Sequence, residues 1–427
     1  MDWLKKITSE RTGDFYYTGK HSSGLTVTVY PKEKNNSTYA VFGTKYGSID
    51  NCFKTAQKSE PHRVPAGIAH YLEHKMFESE DGDAFERFAK TGASANAYTS
   101  FDMTCYLFSC TENVYESLKI LLDFVQSPYF TEQTVQKEQG IIGQEIKMYD
   151  DDPQWRVLFN LLDALYQKHP VRTDIAGTVE TIAQITPELL YQCYHTFYNL
   201  NNMVLCIAGN VQPDRVAEMC DEMLKPAQPV QIDRIFEKEP DHIVKARVEQ
   251  KLSVAVPLFE LGFKEKVTSQ RPSVKEIAET EILLEAISSN ASPLFRRLLD
   301  AGLINEASFG NEYFEGPGYA SVIFSGESKD PEQVAQEIKR EIENIRKNGF
   351  DRKIFECAKR AVYGRNIASL NHVGSIANSL VSLAFSGREL FQYIDAVAQT
   401  DMNSVMARLE NQMHTEFSSL SVIFPNQ

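Results

Sequence analysis

Residues 64–78 read VPAGIAHYLEHKMFE, and within them His70, Glu73 and His74 form the pattern H-x-x-E-H. On an α-helix, residues four apart share a face, so the two imidazoles can converge on one cation while Glu73 stands beside them. The thermolysin-like order of such a pair is H-E-x-x-H; here it is inverted, in the inverzincin arrangement. The inversion leaves the chemistry possible, because a catalytic zinc needs three protein ligands plus a water, and the water needs a carboxylate within hydrogen-bond reach. The stretch therefore predicts a helix that carries most of a zinc site and points to a zinc peptidase.

Two histidines leave the ligand set short by one. The segment TVQKEQGIIGQEIKMYDDDP (134–153) supplies Glu138 and Glu145, seven residues apart and so on one helical face. Glu78, Glu80, Asp81 and Asp83 are nearer in sequence but read as a solvated turn, a poor floor for a metal. The remaining histidines (His21, His62, His169, His195, His242, His372 and His414) are scattered and read as structural. The seven cysteines form no close-spaced ligand cluster, and their odd number rules out a complete set of intrachain disulfides; they read as reduced and mostly buried.

A chain of 427 residues with 42% hydrophobic content can bury large cores and by size holds two or more domains. Its formal charge of −14 and lack of a Lys/Arg stripe argue against a nucleic-acid partner. No apolar run reaches membrane-spanning length, and MDWLKKITSERTGDFYY lacks a signal-peptide core, so the expectation is a soluble, cytoplasmic protein without a membrane partner.

Strands are expected in GLTVTVYPKE (24–33) and STYAVFGTKYGSID (37–50), and a helix that begins after Val64-Pro65, where proline can occupy the first turn, carries the histidines. DAFERFAKTG (83–92) reads as a helix stopped by Gly92, and SANAYTSFDMTCYLFSC (94–110) as one long strand. The stretch after residue 224 is polar and proline-bearing, which suggests a catalytic α/β domain over 1–225, a linker over 226–250 and a second α/β domain over 251–427. LFRRLLDAGLI followed by ASFGNEYFEGPGYASVIFSG repeats the texture of AFERFAKTGA followed by SANAYTSFDMTCYLFSC. The fold expected is thus α+β in two related halves, each an antiparallel-rich sheet backed by helices, with the metal motif in the first half alone.

The blocks HYLEHKMF, GASANAYTSFDMTCY and EQGIIGQEIKMYDD, in this order, resemble the M16 (pitrilysin-like) peptidase family in its short bacterial class, and the duplicated layout extends the likeness over nearly the whole chain. The resemblance implies that His70, His74 and Glu145 bind Zn2+, that Glu73 is the general base and that Glu138 is a catalytic carboxylate just outside the ligand set. It also implies that SANAYTS borders a cleft and takes an unfolded peptide as an added strand, with Asn96, Ala97 and Thr99 as substrate contacts.

One block departs from the family. Active members carry an arginine before the Gly-Leu turn and a tyrosine after it; in LFRRLLDAGLINEASF these positions fall on Leu299 and on Asn305 or Ile304, with Arg296 and Arg297 nearby. The expectation is accordingly a zinc-dependent endopeptidase or oligopeptidase completed by a related non-zinc subunit in a heterodimer. A self-sufficient homodimeric peptidase and a catalytically silent structural subunit are the alternatives.

Overall fold

The computed structural model describes residues 3–56, 58–80, 82–266 and 271–426. Its first large sheet contains β1 (Lys5–Thr8), β2 (Phe15–Lys20), β3 (Thr26–Pro31), β4 (Thr38–Thr44), β5 (Ser94–Thr99), β6 (Thr104–Cys110) and β7 (Met203–Gly209), in the order β1-β2-β3-β7-β4-β6-β5. The second contains β8 (Arg247–Leu252), β9 (Leu258–Lys264), β10 (Gly310–Gly316), β11 (Tyr319–Glu327) and β12 (Ser418–Pro425), in the order β8-β12-β9-β11-β10. Each sheet has one parallel pair, β7 with β3 and β12 with β8, and is otherwise antiparallel. The five strands β3-β7-β4-β6-β5 thus repeat the order and directions of β8-β12-β9-β11-β10, the duplication that the sequence texture suggested. The architecture is α+β in two domains, sheets backed by helices.

The compact units do not follow the chain. One comprises residues 1–146, 174–235 and 367–391; the other comprises 147–173, 236–366 and 392–427. In the first, helix Val373–Ser386 packs on β7 and β4; in the second, helix Pro153–Leu165 packs on β12 and β9. Glycine permits both approaches. A Cβ on Gly43 of β4 would stand 2.9 Å from Val381, and one on Gly262 of β9 would stand 2.8 Å from Leu165, closer than side-chain carbons pack. The exchange at Ile235 and Phe236 falls within the linker expected at 226–250, whereas those near residues 147, 174, 367 and 392 carry no compositional mark.

Two local expectations need correction. SANAYTSFDMTCYLFSC is a hairpin, β5 and β6, not one strand. The chain reverses over Ser100–Met103, where the Ser100 N–H donates to the Met103 carbonyl at 2.8 Å, and the Ser100 and Phe101 carbonyls accept from Ser48 and Ile49 at 3.0 Å. No glycine or proline marks this turn; its backbone is held both by its own Ser100–Met103 bond and by the distant loop at Ser48 and Ile49. The histidine helix spans Ile68–Lys75, so Pro65 lies ahead of its first turn; Gly67, with φ of 89°, caps it in the left-handed conformation. The Ala84–Thr91 helix ends as read, with Gly92 at φ 78°.

Candidate metal centre

The histidine helix is buried on nearly every side, with Tyr71 and Leu72 fully enclosed. Its apolar residues anchor it, and the Tyr71 hydroxyl donates to the Val135 carbonyl on helix Glu132–Asp151. This bond ties the helix bearing the histidines to the one bearing Glu138 and Glu145. Val135, Glu138, Ile142 and Ile146 are the buried residues of that second helix, and Glu145, beside Ile146, is half-buried with its carboxylate toward the histidines.

Between the two helices, ligand atoms of His70, His74 and Glu145 all lie within 4.8 Å of one another. Nε2 of His74 is 3.3 Å and Nε2 of His70 is 3.7 Å from Oε2 of Glu145. Nδ1 of His74 is bonded to Oε1 of Glu138 at 3.0 Å, which fixes the ring and turns its other nitrogen toward Glu145. Nδ1 of His70 is buried and finds no hydrogen-bond partner among the described residues.

Electrostatics divide the two rings. Burial, then the neighbouring His74, pushes His70 down to about 4. Burial would lower His74 as well, but the hydrogen bonds to Glu138 and Glu145 outweigh it and hold His74 up at about 10. The cluster therefore favours one cation: a single proton on His74 partly satisfies it, while His70 stays neutral with a lone pair available. Two imidazole nitrogens and a carboxylate oxygen, drawn together around a charge-demanding space, are the donor set of a catalytic zinc site. The residues present fit that ion.

Glu73 and Glu138 differ although both are buried, at 9% and 7% exposure. Burial raises the Glu73 carboxyl above its ordinary range. Burial acts on Glu138 in the same sense but is overcome by His74, which holds that carboxyl below the ordinary range. Oε2 of Glu73 accepts a hydrogen bond from Oγ1 of Thr99 at 2.9 Å. Lys75, the next residue after His74, is fully buried against Glu78, a placement that residue type does not foretell.

The remaining residues singled out in the sequence separate. β5 is an edge strand of its sheet, bonded within it to β6 alone. Asn96 is exposed there, and its Oδ1 accepts from the N–H of Ala97 at 2.9 Å. The Thr99 hydroxyl is engaged with Glu73, a contact that sequence reading missed because it joins residues far apart in the chain. Ile304 is buried and Leu299 packs against the second unit's core. Asn305 bonds to Glu327 at 2.8 Å, while Arg296 and Arg297 pair with Asp300 and Glu341. Of the acidic turn, Glu78, Glu80 and Asp83 lie outside the cluster and Asp81 lies outside the described residues. The seven cysteines are free, and all except Cys357 are buried. No helix among the described residues is long and apolar enough to cross a membrane.

A duplicated α+β fold with an inverted histidine motif facing a glutamate helix defines a class, and comparison agrees with it. Residues 59–179 match the family described as Insulinase (Peptidase family M16), and residues 184–362 match the Peptidase M16 inactive domain. The chain belongs to the M16 peptidase family. It is 41% identical over 428 residues, 99% of either chain, to the uncharacterized zinc protease YmfH of Bacillus subtilis. A solved M16-like peptidase from Alicyclobacillus acidocaldarius superposes with a TM-score of 0.92 at 34% identity, covering 99% of both chains. A protease from Helicobacter pylori shares the fold at a TM-score of 0.83 and 19% identity, over 96% of this chain and 100% of the other.

Proposed function

We propose that the protein is a zinc-dependent endopeptidase or oligopeptidase acting on unfolded peptides, with His70, His74 and Glu145 as the ligands. The convergence of their three donor atoms within 4.8 Å carries this reading. Bound zinc would polarise the scissile carbonyl and make a water acidic enough to attack at neutral pH. Glu73 takes the proton from the attacking water and passes it to the nitrogen of the departing amine. Its position one residue before His74, with its charge coupled to His74 and Glu145, supports that role. Glu138 orients His74 through Nδ1. The peptide lies along the free edge of β5 as an added strand, beside Asn96 and Ala97.

We further propose that a related subunit without the zinc motif completes the enzyme. The observation behind this is that Leu299, Ile304 and Asn305 are committed to packing or to Glu327, and both nearby arginines to carboxylates. These positions then offer no unpaired charged donor to the oxygen on which negative charge develops, and one missing donor of this kind costs about 10²–10³-fold. Reduced, buried cysteines accord with the cytoplasm as the compartment.

The test measures zinc content and cleavage of an unstructured peptide by wild type and Glu73→Gln, each alone and with a related non-zinc chain. Glu73→Gln is expected to retain zinc and lose about 10²–10⁴-fold in rate. Near-normal turnover by that variant refutes the base assignment, and full turnover by the isolated wild type refutes the need for a partner.

A further inference from the structure

We propose that Thr99 is a positioning residue for Glu73, fixing which carboxylate oxygen receives the proton. The inference rests on Glu73 being the general base. Thr99 is the last residue of β5, and its Oγ1 donates to Oε2 of Glu73 at 2.9 Å. Thr99 is opposite Thr104 in the β5–β6 ladder, and the two hydroxyl oxygens are 3.4 Å apart. Oγ1 of Thr104 is 2.9 Å from the Tyr46 carbonyl. Each hydroxyl has one proton, and in each case the shorter contact takes it: Thr104 donates to the Tyr46 carbonyl and Thr99 to the carboxylate. Thr104 is fully buried and directs its proton to the Tyr46 carbonyl, so it does not draw the Thr99 hydroxyl away from Glu73.

A carboxylate with both oxygens free can rotate and offer either to the water. With Oε2 held by Thr99, Oε1 is the oxygen left to accept the proton and later release it to the leaving amine. Thr99 thus performs a task different from substrate contact, although it stands on the strand proposed to receive the peptide. Seating the substrate and aiming the base become properties of one strand.

The experiment compares wild type, Thr99→Val and Thr99→Ser by kcat and KM on an unstructured peptide, by zinc affinity in chelator competition, and by Tm. Valine keeps the branched shape and removes the donor; serine restores the donor without the methyl. Thr99→Val is expected to lower kcat about 10–100-fold, the range of a hydrogen bond to a charged group, with KM within about twofold if ground-state binding is untouched. Zinc affinity and Tm should stay at the wild-type values, and Thr99→Ser should recover most of kcat. Equal kcat for Thr99→Val and an active wild type overturns the proposal. So does a loss that tracks zinc release, or a serine variant no better than valine. A zinc-loaded wild type that cleaves no peptide, with or without a related chain, instead overturns the peptidase reading on which this role depends.

Discussion

In the unit that carries the motif, His70, His74 and Glu145 turn their polar atoms toward one another around a space that calls for a cation. In the other unit, buried charges close directly onto opposite charges. Lys264 meets Glu239 at 2.6 Å with both side chains almost wholly enclosed, and Glu239 also accepts from the N–H groups of Gln167, Lys168 and His169. Arg408 meets Glu265 at 3.0 Å, and Gln412, Thr280 and Tyr313 complete that network. The two units share a sheet topology, so the backbone does not account for the difference. What distinguishes the His70–His74–Glu145 cluster from these networks, and from Lys75 and Glu78 in its own unit, is whether buried charge finds its counter-charge within the protein: satisfied, it acts as structure; left open, it becomes a site.

The largest effect that could break this contrast is expected at Glu145. Glu145→Gln should take the protein from about one zinc per chain, the expectation for a single catalytic site, to almost none, and turnover should go with it. Glu138→Gln should keep the metal more weakly, with affinity or activity down about 10–100-fold. Elemental analysis with chelator competition separates the two. If the 138 variant loses zinc and the 145 variant retains it, their roles are reversed.

The second unit offers the complementary test. Lys264→Met leaves the Glu239 charge buried without its ammonium and is expected to cost about 3–5 kcal/mol of stability, read from urea unfolding, with zinc content unchanged. Zinc loss without loss of stability would show that the pair serves the metal site, and the division between the units would fall.

The smallest effect concerns an exception within that unit. Oε2 of Glu260 on β9 is buried without a hydrogen-bond partner among the described residues, and burial, followed by Glu312, pushes this carboxyl up to about 8. The ordinary value is 4.5, so the folded protein retains a proton that the unfolded chain gives up. The associated stability is full below pH 4.5 and is lost as pH rises through about 8. Glu260→Gln should therefore raise Tm by a few degrees at pH 8.5 and leave it nearly unchanged at pH 4.5. An equal shift at both pH values would indicate a packing effect in place of a titration.

The candidate site was legible where one helix supplied the geometry. His70 and His74 are four apart, Glu138 and Glu145 seven apart, and helical period alone puts each pair on one face. Apolar patterning likewise located β3 and β4. The Ser100–Met103 reversal was not legible, because no glycine or proline marks it and two of the bonds that hold it come from Ser48 and Ile49. Nor was the Thr99–Glu73 contact, which depends on where an edge strand lies over a helix. Lys75 is buried against the tendency of its residue type. The helices Pro153–Leu165 and Val373–Ser386 were recognisable as apolar segments at most; which sheet each covers is set by tertiary packing.

That last arrangement governs how the protein can be made. The sheet beside the metal centre is formed by strands ending at Gly209, but its covering helix ends at Ser386. Until that helix emerges, the faces of β4 and β7 stay open to water or to other chains. Synthesis at about 5–20 residues per second takes roughly 20–80 s to reach that point. A nascent chain truncated at the polar stretch after residue 224 would contain His70, His74 and Glu145 and still lack the cover on its own sheet. Assembly of the unit that carries the candidate metal centre is thereby tied to near-completion of translation, so the cluster matures only when almost the whole polypeptide has been produced.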